Sequence, residues 1–239
     1  MWWKLIASWQ ILSPAIWGKL PGHADFVRSG MRHGESEAWM TWIARQSPTA
    51  GAGVASSASA MPVAFVLPPG TLEFARRRFV LGVIAPSVDM VGRHYPLVVY
   101  QQAHPLWVRR HFEAQHGQPL DWQFWLARAV AHYIRLPGRA DAAALEATLR
   151  ALWREQRQAR DDAPVQRTRR MKALLDRYAG PASADDPAAQ LHGVRHLPWA
   201  DWPRRLQGAR VESAFWQQDA EGRFISAGNQ LQKLWRGPS

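Results

Sequence analysis

Two short stretches of the chain concentrate the side chains capable of chemistry. WGKLPGHADFVRSG, residues 17–30, carries Lys19, His23, Asp25 and Arg28, and GVIAPSVDMVGRHYPLVVY, residues 82–100, carries Ser87, Asp89, Arg93 and His94. Ser87, Asp89 and His94 are the residue types of a hydrolase triad, but Ser87 lacks the G-x-S-x-G elbow that exposes a nucleophile. Asp25 and Asp89 are the types needed for an acid–base pair or for a divalent cation. Arg93 offers a planar fork to a carboxylate or phosphate. The alternative for Arg93 is an internal ion pair with Asp25 or Asp89 that locks two loops together. Locking is the favoured reading, and it is compatible with recognition if the locked loops form the docking surface.

Other chemistries find little support. The chain has no cysteine, which excludes disulfides, thiolate metal sites and cysteine nucleophiles. His192 and His196 are four apart, but Gly193 and Pro198 disfavour a helix there, and no glutamate completes an H-E-x-x-H pattern. His111 and His116 are five apart, which does not place them on one helical face. GAGVA, residues 51–55, follows no strand and lacks the Lys–Ser/Thr ending of a phosphate loop. Neither a metal nor a cofactor is expected.

The two stretches must be positioned by strands. Residues 11–19 are predicted as a short strand interrupted by Pro14, followed by a loop over 20–24 with Pro21 and Gly22 as breakers. Residues 63–67, 79–84 and 95–100 are rich in β-branched and aromatic types with Pro and Gly between them, which predicts antiparallel neighbours. Helical spacing appears over 35–45, 105–116, 120–136, 140–159 and 168–178. Leu145, Leu149, Leu152 and Trp153 form one apolar stripe. Residues 47–60 and 179–190 read as loops. A strand over 211–217, a turn at 219–222, a strand over 224–226 and a helix over 229–235 close the chain. Strands that return after a helical block imply one sheet shared by both ends of an α/β unit, without internal repeats.

The 239 residues carry a net charge of +11, which favours acidic partners. From Arg150 to Arg177 there are nine basic and four acidic residues, and Arg150, Arg154 and Arg157 share a helical face. That face reads as solvated charge or as an electrostatic docking stripe for an acidic protein. No nucleic-acid recognition signature accompanies it. Fourteen tryptophans allow for interface anchors. The apolar run at 5–12 is broken by Ser8 and Gln10, too short to span a membrane and unlike a secretory signal.

The two stretches together resemble the TagF family of bacterial type VI secretion. Trp17, Gly18, Lys19, Leu20 and Pro21, then Asp25, Phe26, Val27 and Arg28, match the family's opening, with Ala24 where glycine is usual. Pro86, Ser87, Asp89, Gly92, Arg93, Tyr95, Pro96 and Leu97 match its second motif, and SAFWQQ resembles its C-terminal aromatic strand. The resemblance implies an α/β three-layer sandwich around a mixed, largely antiparallel sheet. Residues 17–239 would form a single TagF-like domain, and residues 1–16 an N-terminal extension or first strand.

It further implies a cytoplasmic, non-enzymatic accessory protein that represses type VI secretion post-translationally by binding a forkhead-associated scaffold protein. Some members are fused to a phosphatase domain, which is not expected in this chain. Nucleic-acid binding and membrane insertion are not expected. Lys19, Asp25, Ser87, Asp89 and Arg93 are the expected partner-binding or loop-locking residues, with an exposed tryptophan nearby as anchor. Two rival expectations are a hydrolase using Asp25 and Asp89 with Ser87 or His94, and a basic nucleic-acid-binding adaptor.

Overall fold

The computed structural model describes residues 10–46, 61–114, 120–135, 141–158, 163–181, 187–196 and 211–235. The predicted loop at 47–60 therefore lies outside the described residues, as do residues 1–9. Seven strands follow in chain order: β1 (Ala15–Gly18), β2 (Val27–Ser29), β3 (Val63–Leu67), β4 (Phe79–Ala85), β5 (Leu97–Ala103), β6 (Ala214–Gln218) and β7 (Phe224–Gly228). The α-helices are α1 (Glu35–Gln46), α2 (Pro105–Ala114), α3 (Trp122–Ile134), α4 (Ala142–Gln158), α5 (Pro164–Ala179) and α6 (Leu231–Trp235).

The strands form one open sheet in the order β2-β1-β5-β4-β3-β6-β7. Every neighbouring pair is antiparallel, so the sheet is antiparallel throughout rather than mixed. β3, β4 and β5 are buried at every residue. Continuous apolar strands such as VAFVL are what a sheet covered on both faces requires. Alternation then assigns the faces. Ala64 and Val66 of β3 join Leu81, Val83, Leu97 and Val99 in one core, which α2 to α5 cover with Val108, Phe112, Trp122, Leu145, Leu149 and Met171. Val63, Phe65 and Leu67 face the other way with Val80, Ile84, Val98 and Tyr100, under Trp39, Trp42 and Ile43 of α1 and Leu231 of α6. The result is the expected α/β sandwich of three layers, helix–sheet–helix.

Tryptophans are the fillers of both cores. Trp39 lies 5.1 Å from Tyr100, 5.8 Å from Phe65 and 6.3 Å from Trp17 between ring centroids. Trp17, Trp39, Trp122 and Trp216 are fully buried, and no tryptophan whose side chain is described is exposed. The expected exposed tryptophan anchor is not present among these residues, because the sheet's two faces consume their rings. A buried carboxylate fastens α1 to the sheet. Glu35 accepts hydrogen bonds from Tyr100 Oη at 2.5 Å, Gln102 Nε2 at 2.7 Å and the Arg32 amide at 3.1 Å. Burial and the adjacent Glu35 push the Tyr100 phenol far above its ordinary value.

Two boundaries differ instructively from expectation. β5 starts at Leu97 rather than Tyr95, because the Tyr95 amide is already bonded to the Ser87 carbonyl within the preceding loop. β2 was not predicted, since three residues, Val27–Ser29, are too few to show an alternation.

Candidate functional site

Strand register decides where the two motifs go. Gly18 pairs with Leu97, Ala85 pairs with Leu97, Val63 pairs with Ile84, and Ala64 pairs with Trp216 just before β6 ends. The β1–β2, β4–β5 and β6–β7 connections therefore leave the same end of the sheet. The motifs converge on a rim of strand ends, not along an edge strand. Gly18 permits the convergence. Its φ is +125°, and a Cβ there would stand 2.1 Å from the Pro96 carbonyl oxygen. Only glycine tolerates both conditions, so only glycine lets Lys19 follow β1 against the start of β5.

Asp89 is the hub of the rim. Its Oδ2 accepts from Lys19 Nζ at 2.7 Å and from Arg93 Nε at 2.6 Å. Its Oδ1 accepts from the amides of Arg93 at 2.8 Å and Val91 at 3.1 Å. Arg93 Nη2 then donates to the Ala24 carbonyl at 2.5 Å, and the Met90 amide donates to the His23 carbonyl at 2.9 Å. Both motif loops are thus stitched to each other by side chain and backbone. The first loop is also tied to the helical layer, where His23 Nε2 accepts from the Ala142 amide at 3.0 Å at the start of α4. Beneath the ions lie Trp17, Phe26 and Tyr95, with centroids 5.0 to 5.6 Å apart. Burial by itself would raise the Asp89 carboxyl. The Lys19 ammonium, the Arg93 amide and guanidinium and the Val91 amide outweigh it and hold the group well below the usual carboxylate range.

Each expected site residue can now be placed. Lys19, Ser87 and Asp89 are buried; Asp25, Arg28, Arg93 and His94 are exposed. Arg93 pairs with Asp89, whereas Asp25 makes no ion pair or hydrogen bond among the described residues. Ser87 Oγ is buried, with no hydrogen-bond partner among the described residues. No hydrogen bond links Ser87 to Asp89 or to His94, and the lone pairs of Asp89 are already occupied by four donors. No cluster of three metal-ligating side chains forms among the described residues.

The structure adds a feature that reading for motifs missed. Asp219, at the β6–β7 turn, repeats the Asp89 arrangement bond for bond. Its Oδ1 accepts from the amides of Glu221 and Arg223, both at 2.9 Å, and its Oδ2 accepts from Arg223 Nε at 2.6 Å. In both turns the aspartate amide bonds to the arginine carbonyl, and a glycine at positive φ, Gly92 at 83° and Gly222 at 81°, closes the loop. The signal was legible as a recurring string, DMVGR and DAEGR. The pentapeptide is therefore a recurring turn. Both copies are tied to a neighbouring segment by the amide after the aspartate, Met90 to the His23 carbonyl and Ala220 to the Ala188 carbonyl, and the first alone adds Lys19.

The basic stripe forms as predicted, with Arg150, Arg154 and Arg157 exposed on α4. Part of its charge is met locally, by Glu146 beside Arg150 and by Glu155 at 3.6 Å from Arg170. Among the described residues no helix is long and apolar enough to cross a membrane.

Comparison with known proteins bears on the rim directly. The family described as the TagF N-terminal domain, type VI secretion system-associated, matches residues 15–152, more than half of the chain and inclusive of both motifs. Among solved structures, the chain is similar to PA0076 from Pseudomonas aeruginosa PAO1, with 18% identity, a TM-score of 0.42, and coverage of 95% of this chain and 96% of that one. No curated protein matches the chain.

Proposed function

The chain belongs to the TagF family of type VI secretion system-associated proteins, and from that membership we propose that it represses secretion by binding a forkhead-associated scaffold protein in the cytoplasm. It acts by occupancy rather than by catalysis. The observation that carries this reading is the Lys19–Asp89–Arg93 latch. It makes the two loops that bear the family motifs into one rigid rim and leaves Arg93 at the surface, 59% exposed in its side chain. A surface held rigid before it meets its partner loses little conformational freedom on binding. The same latch opposes an acid–base role, since a carboxylate held ionised and saturated with donors neither gives nor takes a proton near neutral pH. The excess positive charge supports an acidic partner.

The test is titration calorimetry of the purified protein against the purified scaffold of its own secretion system, with a secretion assay alongside. Micromolar or tighter binding that weakens as salt rises, together with raised secretion when the gene is deleted, is the expected result. No binding at low salt and unchanged secretion in the deletion strain would overturn the reading.

A further inference from the structure

We propose that Met90 and Val91, at the tip of the latched β4–β5 turn, are the apolar centre of the docking surface, and that they enter an acid-rimmed apolar socket on the scaffold protein. This rests on the scaffold-binding reading above and adds the chemistry of its contact. Met90 and Val91 are 60% and 62% exposed. They are not loosely held, because the Met90 amide is bonded to the His23 carbonyl and the Val91 amide to Asp89 Oδ1. Two apolar side chains are thus kept in water on a fixed backbone.

The turn itself does not ask for them. The second copy builds the same hydrogen bonds around Ala220 and Glu221 at the corresponding positions. Apolar residues in the first copy therefore serve something other than folding. Nor is either of them single. Of the eight exposed large hydrophobic residues among those described, Met90 and Val91 are the two that adjoin in sequence. Single exposed apolar residues are ordinary, whereas two side by side on a fixed turn offer a contact point.

Charge selects the partner's chemistry. The Arg93 guanidinium spends two nitrogens on Asp89 and Ala24 and leaves the third without a partner among the described residues. Arg28, exposed on β2 directly after the first loop, adds a second positive charge, and Asp25 is the exposed carboxylate of that loop. A socket that admits Met90 and Val91 is best matched by acidic side chains around its mouth, which the free edge of Arg93 can address.

The experiment gives the first turn the sequence of the second. The M90A/V91E protein is compared with wild type by calorimetry against the purified scaffold protein, with thermal melts of each. M90Q/V91T serves as a milder replacement, and V165E as a control. Val165 is equally exposed, but it begins α5 at the far end of α4 from His23. Melting temperatures that match wild type, binding weakened about tenfold or more in both turn variants, and undiminished binding by V165E are expected. Wild-type affinity in the folded turn variants overturns the assignment of Met90 and Val91 while leaving scaffold binding intact. Absence of binding by the wild-type protein overturns both.

Discussion

The Lys19 ammonium lies 2.7 Å from the Asp89 carboxylate across 70 positions of sequence, and both side chains are buried. The pair joins the loop after β1 to the loop after β4, so the two motifs are held against each other as one unit. Lys19→Met preserves the aliphatic stem and removes the charge. It is expected to destabilise the protein by about 3 kcal/mol, as expected when one partner of a buried ion pair is removed. Urea unfolding curves measure this, and a midpoint unchanged from wild type would show that Arg93 alone satisfies Asp89.

Acid should loosen the rim, and the direction follows from the carboxyl's position. In the unfolded chain Asp89 takes up its proton near its ordinary value of 3.8, whereas in the fold it resists protonation to lower pH. Its contribution is fully present above the ordinary value and is lost as pH falls through the folded one. His132 adds an earlier step. Burial and the Arg135 charge lower its folded value below 6.5, so its contribution declines as pH falls below that point. Stability measured by urea unfolding should fall in two stages. Asp89→Asn should flatten the stage that runs downward from pH 3.8, and His132→Gln the stage that runs downward from pH 6.5.

Two glycines at positive φ should respond differently to alanine. At Gly92 an added methyl group would have nothing within 4 Å, so Gly92→Ala carries only the left-handed backbone cost, about 1 kcal/mol. At Gly18 the same methyl meets the Pro96 carbonyl at 2.1 Å and parts β1 from β5. Gly18→Ala is expected to cost more than about 3 kcal/mol. Comparable melting temperatures for the two variants would contradict the close approach at Gly18.

The twin turns allow Arg93 and Arg223 to be compared directly. Arg223 is the less exposed of the two, at 23%, and bonds Asp219 and Glu221. Arg223→Ala should lower stability by about 1–2 kcal/mol through its charge-assisted bonds and leave scaffold affinity unchanged. Arg93→Ala should lower affinity by about tenfold with a similar or smaller stability loss. Equal effects on binding from both variants would separate the family motif from recognition.

Much of this was legible before the structure. β3 appears at its predicted residues because VAFVL is apolar throughout and bounded by prolines. An ion pair of Arg93 with Asp89 was one of two expected, with Asp25 as its equal alternative, and Lys19 was assigned no partner. That choice is made by the Asp-x-x-Gly-Arg turn, in which the backbone folds the guanidinium onto its own aspartate four residues back. Among the described residues the expected exposed tryptophan is not found, for a physical reason. A two-faced sheet needs large rings on both sides, and burial there outweighs display. The Met90–Val91 tip drew no notice, because the segment between the strands at 79–84 and 95–100 was read only as a connection, and sequence does not show which of its side chains meet water.

The sheet order places β3 between β4 and β6, and this sets a timetable for synthesis. β4 is complete once Ala85 has been made, but β6 does not begin until Ala214. At ribosomal speeds the far edge of Val63–Leu67 waits on the order of ten seconds for its cover. During that time five apolar residues present open backbone donors and acceptors, the kind of edge that templates aggregation. A chain cut at residue 152, where the family match ends, would keep that edge permanently. The last strands thus act as a seal, and expression of the N-terminal part alone should yield insoluble protein unless β6 is supplied in trans.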